Sequence, residues 1–482
     1  MIAKKFSQNF FFQIVSQAIS FIASIFVARL GGAAIFGNIG LATSYQNLFR
    51  SLIVNASNNA HLKVYAEDKS HGIKTYMYYT FSLFIGADFL VFIWAFYNYI
   101  TPNSSLNKLQ SLLIFIFILQ DFIAFPALIA RTDQTAKLNI FKANIVNFIP
   151  FITINIFKIF AVFIGFKEIG IALAMLIASL AGTFYSIPII KKSYRGKFDK
   201  KLLKKYFRYS LYIAAAGISQ SLLMSYDKIL LGFMKISPEM IGYYNAGNRL
   251  GVLFMLIGVN AGGIFLAIFS KNAVNKDTDS TLNYLKKYER YILIFFSPFL
   301  IGTIILGKDL LGIIFGQGFA IAYVVLSLSL IMGLLKILTI PLHNLLFANN
   351  KFKSFNILSV VYASLIIFLT TSIAIIDPFD DKLMSVAFGL FLAGLIEKVL
   401  FTIYVKTIEK RIRFSFYPAY ILYFLMTYII STNVINHLDL KSFASRLLIT
   451  VVCIAISILG GSILGIYKRS DINLVFNLLH IN

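Results

Sequence analysis

Cys453 is the only cysteine in the chain, and it lies inside an apolar run. A disulfide framework and a cysteine zinc site are therefore both excluded. The five histidines (His61, His71, His343, His437 and His480) nowhere take the HExxH spacing of a zinc enzyme. No GxxxxGK(S/T) stretch occurs, so no ATP-hydrolysing module is fused to the chain. Charge is scarce as well, at 13% of residues, where a soluble chain carries about 25%. Hydrophobic residues fill the space instead: they reach 59%, and the mean hydropathy is +0.80.

These residues fall into fourteen apolar stretches, roughly 9–30, 34–57, 76–98, 109–130, 141–163, 169–190, 209–232, 242–269, 289–307, 319–341, 354–376, 383–405, 416–435 and 443–466. At about 1.5 Å of rise per residue, each can cross the hydrocarbon core of about 30 Å once. The chain reads as an all-α polytopic membrane protein with about 14 transmembrane helices. Lys4 and Lys5 precede the first stretch as they would in a signal peptide. That stretch is about 20 residues long, contains Gln13 and Gln17 and lacks a cleavage site, so it reads as a retained helix. Pro126, Pro150, Pro188 and Pro298 mark kinks inside spans.

The net charge of +24 would suit a nucleic-acid binder, but its distribution does not. Lys and Arg concentrate in alternate loops, about 30 against 8, as the positive-inside rule requires. This places both termini in the cytoplasm and leaves the outer loops with single charges such as Lys108, Lys167, Lys235 and Lys308. The run KKSYRGKFDKKLLKKYFR at 191–208 holds nine basic residues. It reads as a cytoplasmic linker lying against anionic headgroups. It divides the chain into a six-helix lobe (1–190), a second lobe (209–415) and two C-terminal helices (416–482). A parallel repeat supports two bundles around a central cavity. LGGAAIFGNIGLATSYQNL (30–48) and LGFMKISPEMIGYYNAGNRL (231–250) both run from Leu-Gly through a break to Phe36-Gly37 or Ile241-Gly242.

Ten ionisable residues remain at membrane depth: Arg50, Asp88, Asp121, Lys158, Asp227, Lys228, Arg249, Lys336, Glu397 and Lys398. Each costs at least about 2.5–3.5 kcal/mol at a helix centre. They imply a polar interior with a basic excess of two, which suits an anion better than a drug cation. Counting from the outer ends places Asp227 and Arg249 at a common depth, with Lys228 about 100° around the helix from Asp227. A breakable Asp227–Arg249 pair would leave Arg249 and Lys228 to an anion. The other reading is structural: self-neutralising pairs, and lysines that snorkel to headgroups.

SYDKILLGFMKISPEMIGYYNAGNRL resembles the seventh–eighth helix region of the Wzx-type polysaccharide flippases. There an acidic-basic pair precedes Leu-Gly, and a Gly-Tyr-Tyr-x-Ala element opens the next helix. FVARLGGAAIFGNIGLA is similar to that family's first hairpin. The resemblance implies the two-lobed fold of the multidrug/oligosaccharidyl-lipid/polysaccharide exporter superfamily. It also implies a polyprenyl-diphosphate-linked oligosaccharide as cargo, flipped from the inner to the outer leaflet of a bacterial cytoplasmic membrane. Arg29, Arg50, Lys158, Lys228, Arg249, Lys336 and Lys398 would then serve the diphosphate and the cavity. Asp88, Asp121, Asp227 and Glu397 would gate or couple to H+ or Na+, with no other cofactor. Tyr243, Tyr244, Asn245 and Asn248 are candidate sugar contacts. Lys228 departs from the arginine usual at its position and offers a point charge rather than a fork.

The partners implied are the lipid-linked cargo, membrane lipids, a polysaccharide polymerase and a chain-length regulator, with the transporter itself a monomer. Two other cargoes are the peptidoglycan lipid precursor and small organic cations. A third reading is a polytopic glycosyltransferase or polymerase. The outer loops are short, and their one candidate catalytic acid set is DPFDDK at 377–382.

Overall fold

A computed structural model describes the backbone of residues 2–67, 73–101, 104–194, 197–410, 418–438 and 442–463. Lys69, His71, Arg195, residues 411–413 of KTIEKRIR, Lys468, Arg469 and His480 lie outside the described residues. Within the described residues, each of the fourteen apolar stretches falls on helix. The order is α1 (Ile2–Glu67), α2 (Lys74–Ile100), α3 (Lys108–Ala136), α4 (Ile140–Phe163), α5 (Lys167–Ser193), α6 (Lys200–Phe233) and α7 (Pro238–Val274). Then come α8 (Thr278–Ile305), a short α9 (Gly307–Phe315), α10 (Tyr323–Ala348), α11 (Phe352–Ile376), α12 (Lys382–Ile408), α13 (Pro418–His437) and α14 (Phe443–Ile463). Among the described residues, nine helices are long and apolar enough to cross a membrane.

The first two stretches share α1, which is broken at Gly32 (φ 82, ψ 173). Only glycine takes that backbone readily, and Leu-Gly-Gly supplies it. Helix starts follow local chemistry. Asn107 and Gln110 form a capping box at α3, the Asp199 side chain accepts from Lys201 N–H at 2.7 Å at α6, and Pro238 occupies the first position of α7.

By contacts the chain divides into two compact units. One holds residues 1–245 and 356–393, the other 246–355 and 394–482. The first unit thus takes in α6, which the division at 191–208 assigns to the second lobe. From Lys200 onward the basic stretch is the first part of α6. Its apolar residues anchor it: Leu202 and Tyr206 are buried with Ala60, Val64, Tyr76 and Tyr79. His61 stacks on Tyr76 at 4.0 Å and hydrogen-bonds the Tyr206 hydroxyl at 2.9 Å.

The two repeated hairpins meet inside the first unit. A Cβ on Gly37 would stand 1.7 Å from the Pro238 carbonyl oxygen, and one on Gly242 would stand 1.9 Å from that of Ala33. Small residues here let two backbones approach where side chains would hold them apart. Asn245 joins the same contact and donates from Nδ2 to Phe36 O at 3.3 Å.

Candidate functional site

In the first unit, α1, α2 and α3 bring Arg50, Asp88 and Asp121 together. Arg50 Nη1 lies 2.5 Å from Asp121 Oδ1; the acid is fully buried, and the guanidinium is 26% exposed. Arg50 also stands over the Phe84 ring at 6.0 Å, while Gln46 Nε2 donates to Phe117 O at 3.1 Å beside them. Asp88, 5% exposed, lies within the field of both Arg50 and Asp121. Its Oδ2 is buried with no hydrogen-bond partner among the described residues. Two acids thus share one base, and a buried like-charge pair of this kind favours holding a proton.

On α6, Asp227 Oδ1 accepts from Lys228 Nζ at 3.0 Å and from the Lys228 backbone N–H at 2.8 Å. The expected separation of these two around the helix is therefore corrected. The lysine stem curls back one turn, Nζ also donates to Met224 O at 2.9 Å, and its charge reaches the neighbouring carboxylate. The Tyr244 hydroxyl hydrogen-bonds Asp227 as well. Asp227 lies six residues from the end of α6, and Arg249 eleven from the start of α7. The common-depth estimate fails because α7 begins at Pro238, not near residue 242.

In the second unit, α8, α10 and α12 hold a buried network. Lys336 Nζ pairs with Glu397 Oε2, and His343 Nε2 stands 3.6 Å from Glu397 Oε1. Lys398 Nζ donates to Glu289 Oε1 at 3.3 Å and to Leu338 O at 2.8 Å. Sequence reasoning missed Glu289 and His343. Glu289 had been placed at the mouth of a span, yet α8 starts eleven residues earlier and carries it inside. Arg290 follows it on the same helix, so counting both leaves the expected basic excess at two (7 − 5). Glu168, buried at the start of α5 and accepting from Asn38 Nδ2 at 2.8 Å, lowers it to one. An anion-selective interior does not follow from net charge alone. What distinguishes Arg50 is that its group remains partly accessible, whereas Lys336 and Lys398 are buried against acids.

The remaining candidates are dispersed. Arg29 is exposed on α1, Lys158 half-buried on α4, and Arg249 and Asn248 half-buried on α7. Tyr243 donates to Glu239 Oε1 at 2.6 Å. Tyr244, 1% exposed, has no surface to offer a sugar, and Asn245 is engaged with Phe36. The acids of DPFDDK serve the start of α12. Asp377 Oδ1 accepts from Ser385 Oγ at 2.7 Å, Lys382 Nζ lies 3.0 Å from Asp377 Oδ2, and Asp381 Oδ1 accepts from Leu383 N–H at 2.9 Å. The Ser385 hydrogen bond, with Lys382 beside it, holds the Asp377 carboxyl below its usual range. Among the described residues no group of three His, Cys, Asp or Glu could hold a metal.

Among the described residues the architecture is all-helical, with buried charge clusters between helices long and apolar enough to cross a membrane, and defines a class of polytopic helical proteins. The structure titled lipid II flippase MurJ, in an inward closed conformation, superposes with a TM-score of 0.72 at 17% identity, covering 95% of this chain and 98% of that one. An inward-facing multidrug resistance MATE transporter of the MOP superfamily follows at 0.63 and 11%, covering 82% and 96%. A MATE protein in the bent conformation gives 0.55 and 12%, covering 85% and 96%. The curated proteins yield no match. The family model described as polysaccharide biosynthesis protein matches residues 26–324. The chain belongs to that family, and its fold is that of the MurJ and MATE structures.

Proposed function

We propose that the chain flips a polyprenyl-diphosphate-linked oligosaccharide from the inner to the outer leaflet of a bacterial cytoplasmic membrane by alternating access. The observation that carries this reading is membership in a polysaccharide biosynthesis family on a transporter fold. The chemistry agrees. A diphosphate entering a low-dielectric interior needs cationic groups in place of its hydration. Arg50 is such a group, and its present partner is a carboxylate. When a phosphate draws Arg50 away, Asp121 and Asp88 are left facing one another without a counter-charge. Taking up a proton restores neutrality, which would couple substrate capture to a proton gradient. Sodium at the same acids is the competing outcome.

Deleting the gene should leave lipid-linked repeat units accumulated on the inner leaflet. Normal surface glycan in that strain, with no second flippase, would end the proposal. Arg50→Ala should reduce export by about tenfold or more at matched protein level, the value of about 1.4 kcal/mol of lost charge-assisted bonding. Arg50→Lys should retain part of it. Equal export by both variants would show that the Arg50–Asp121 pair is structural. Asp88→Asn in proteoliposomes should abolish the response to an imposed proton gradient, and a retained response would remove Asp88 from coupling.

The similarity to the lipid II flippase MurJ favours one second cargo, the peptidoglycan precursor, which shares the polyprenyl diphosphate. Lysis on depletion would indicate it. An enzymatic role would rest on the outer acids, which here cap a helix. Joint replacement of Asp377, Asp380 and Asp381 by Asn should leave glycan export and assembly within about twofold of wild type, by the same affinity arithmetic.

A further inference from the structure

A pocket of about 760 Å³ opens in the first unit, where the connection between α2 and α3 meets the turn between α6 and α7. Its size falls within the range of about 300–1,000 Å³ typical of small-molecule sites. The charge asymmetry of the sequence assigns both connections to the outer side of the membrane. Their meeting in one pocket agrees with that assignment.

The lining is mixed. Thr101, Ser237, Lys108 and Lys235 stand beside Tyr99, Ile236 and Pro238, and no carboxylate of the described residues lines the space. Neither lysine has an ion-pair partner among the described residues, and both are exposed. One wall is held in place by its own hydrogen bonds. Asn98 Oδ1 accepts from Leu106 N–H at 3.1 Å and from Ser105 Oγ at 3.0 Å, and Ser104 Oγ donates to Asn98 O at 2.9 Å. A wall already ordered costs little further entropy when a ligand arrives. Behind it, the Tyr45 hydroxyl sits against Trp94 and Ser105. Tyr45 is 3% exposed.

We infer that this pocket is an outer-face binding site for an acidic saccharide. Lys108 and Lys235 hold its carboxylate or phosphate, and Tyr99 offers a ring face to a sugar. A cation is excluded because no acid lines the pocket. A saccharide leaving the transporter would meet this site first on the far side. The inference rests on the flippase reading only for the choice of sugar, because binding to purified protein needs no transport.

Trp94 is the single tryptophan of the chain, so intrinsic tryptophan fluorescence reports from beside the pocket. Protein in nanodiscs of zwitterionic lipid would be titrated with digalacturonate, maltose and inorganic pyrophosphate. A saturable change with digalacturonate is expected, at least tenfold weaker with maltose. It should be weakened at least tenfold in the Lys108→Ala/Lys235→Ala variant, whose exposed substitutions should leave the melting temperature unchanged. No saturable change, or an undiminished one in the double variant, would overturn the site. Pyrophosphate binding as tightly as digalacturonate would overturn its saccharide character and leave a phosphate or lipid-headgroup site. Normal surface glycan in the deletion strain with digalacturonate binding intact would remove the flippase reading and leave the pocket standing.

Discussion

Glu397→Ala is expected to lower stability by about 3–5 kcal/mol, because it strands the buried Lys336 ammonium in the protein interior. A detergent-solubilised protein should show this as a large fall in melting temperature and in monodisperse yield. The decisive comparison is the double variant Lys336→Met/Glu397→Leu. Removing both members of a buried ion pair in favour of apolar groups of similar volume is often neutral or stabilising. Recovery of the melting temperature in the double variant would show that the single change acts through an unpaired charge. Export then separates structure from function. A stable double variant that exports normally makes the pair a packing element of α10 and α12. A stable but inactive one makes Glu397 part of the transport cycle, with His343 at 3.6 Å as its remaining neighbour. No recovery in the double variant would refute the unpaired-charge account.

The helical architecture was legible because it follows from composition and length: runs of about 20 apolar residues have few alternatives in a membrane. The break at Gly32 was visible in Leu-Gly-Gly. Charge pairing was not legible, because it is a property of space rather than sequence. Lys336 and Glu397 are separated by 61 positions, and Lys398 and Glu289 by 109. Glu289 was lost because Lys-Lys-Tyr-Glu-Arg reads as a loop, while the helix begins a full three turns before it. His343 was lost because a lone histidine carries no spacing signal. Lys228 was misjudged by treating its long stem as a fixed vector. The pocket between the α2–α3 connection and the α6–α7 turn left no trace in the sequence: short polar loops look alike until two of them meet.

Gly242→Ala should be among the most damaging small substitutions in the chain, and the argument is one of distance. Inside a helix, alanine in place of glycine gains about 1 kcal/mol from propensity alone. At Gly242 the added methyl would stand 1.9 Å from the Ala33 carbonyl oxygen, where ordinary contact begins at 3.4 Å. The obstructing atom is backbone, so no side chain can swing aside, and α1 and α7 must part by about 1.5 Å. Overpacking of this kind costs about 1–3 kcal/mol or more, which exceeds the propensity gain and reverses the sign. Gly37→Ala meets the Pro238 carbonyl oxygen at 1.7 Å from the other side of the same contact, so it should behave alike. Once either change has parted the helices, the second should add little, making the double variant clearly less than additive. Gly86→Ala, in α2 with nothing within 4 Å, supplies the control and should be neutral or slightly stabilising. The measurements are melting temperature and export at matched protein level. If Gly242→Ala melts at or above wild type, the close approach of the two hairpins does not hold the first unit together.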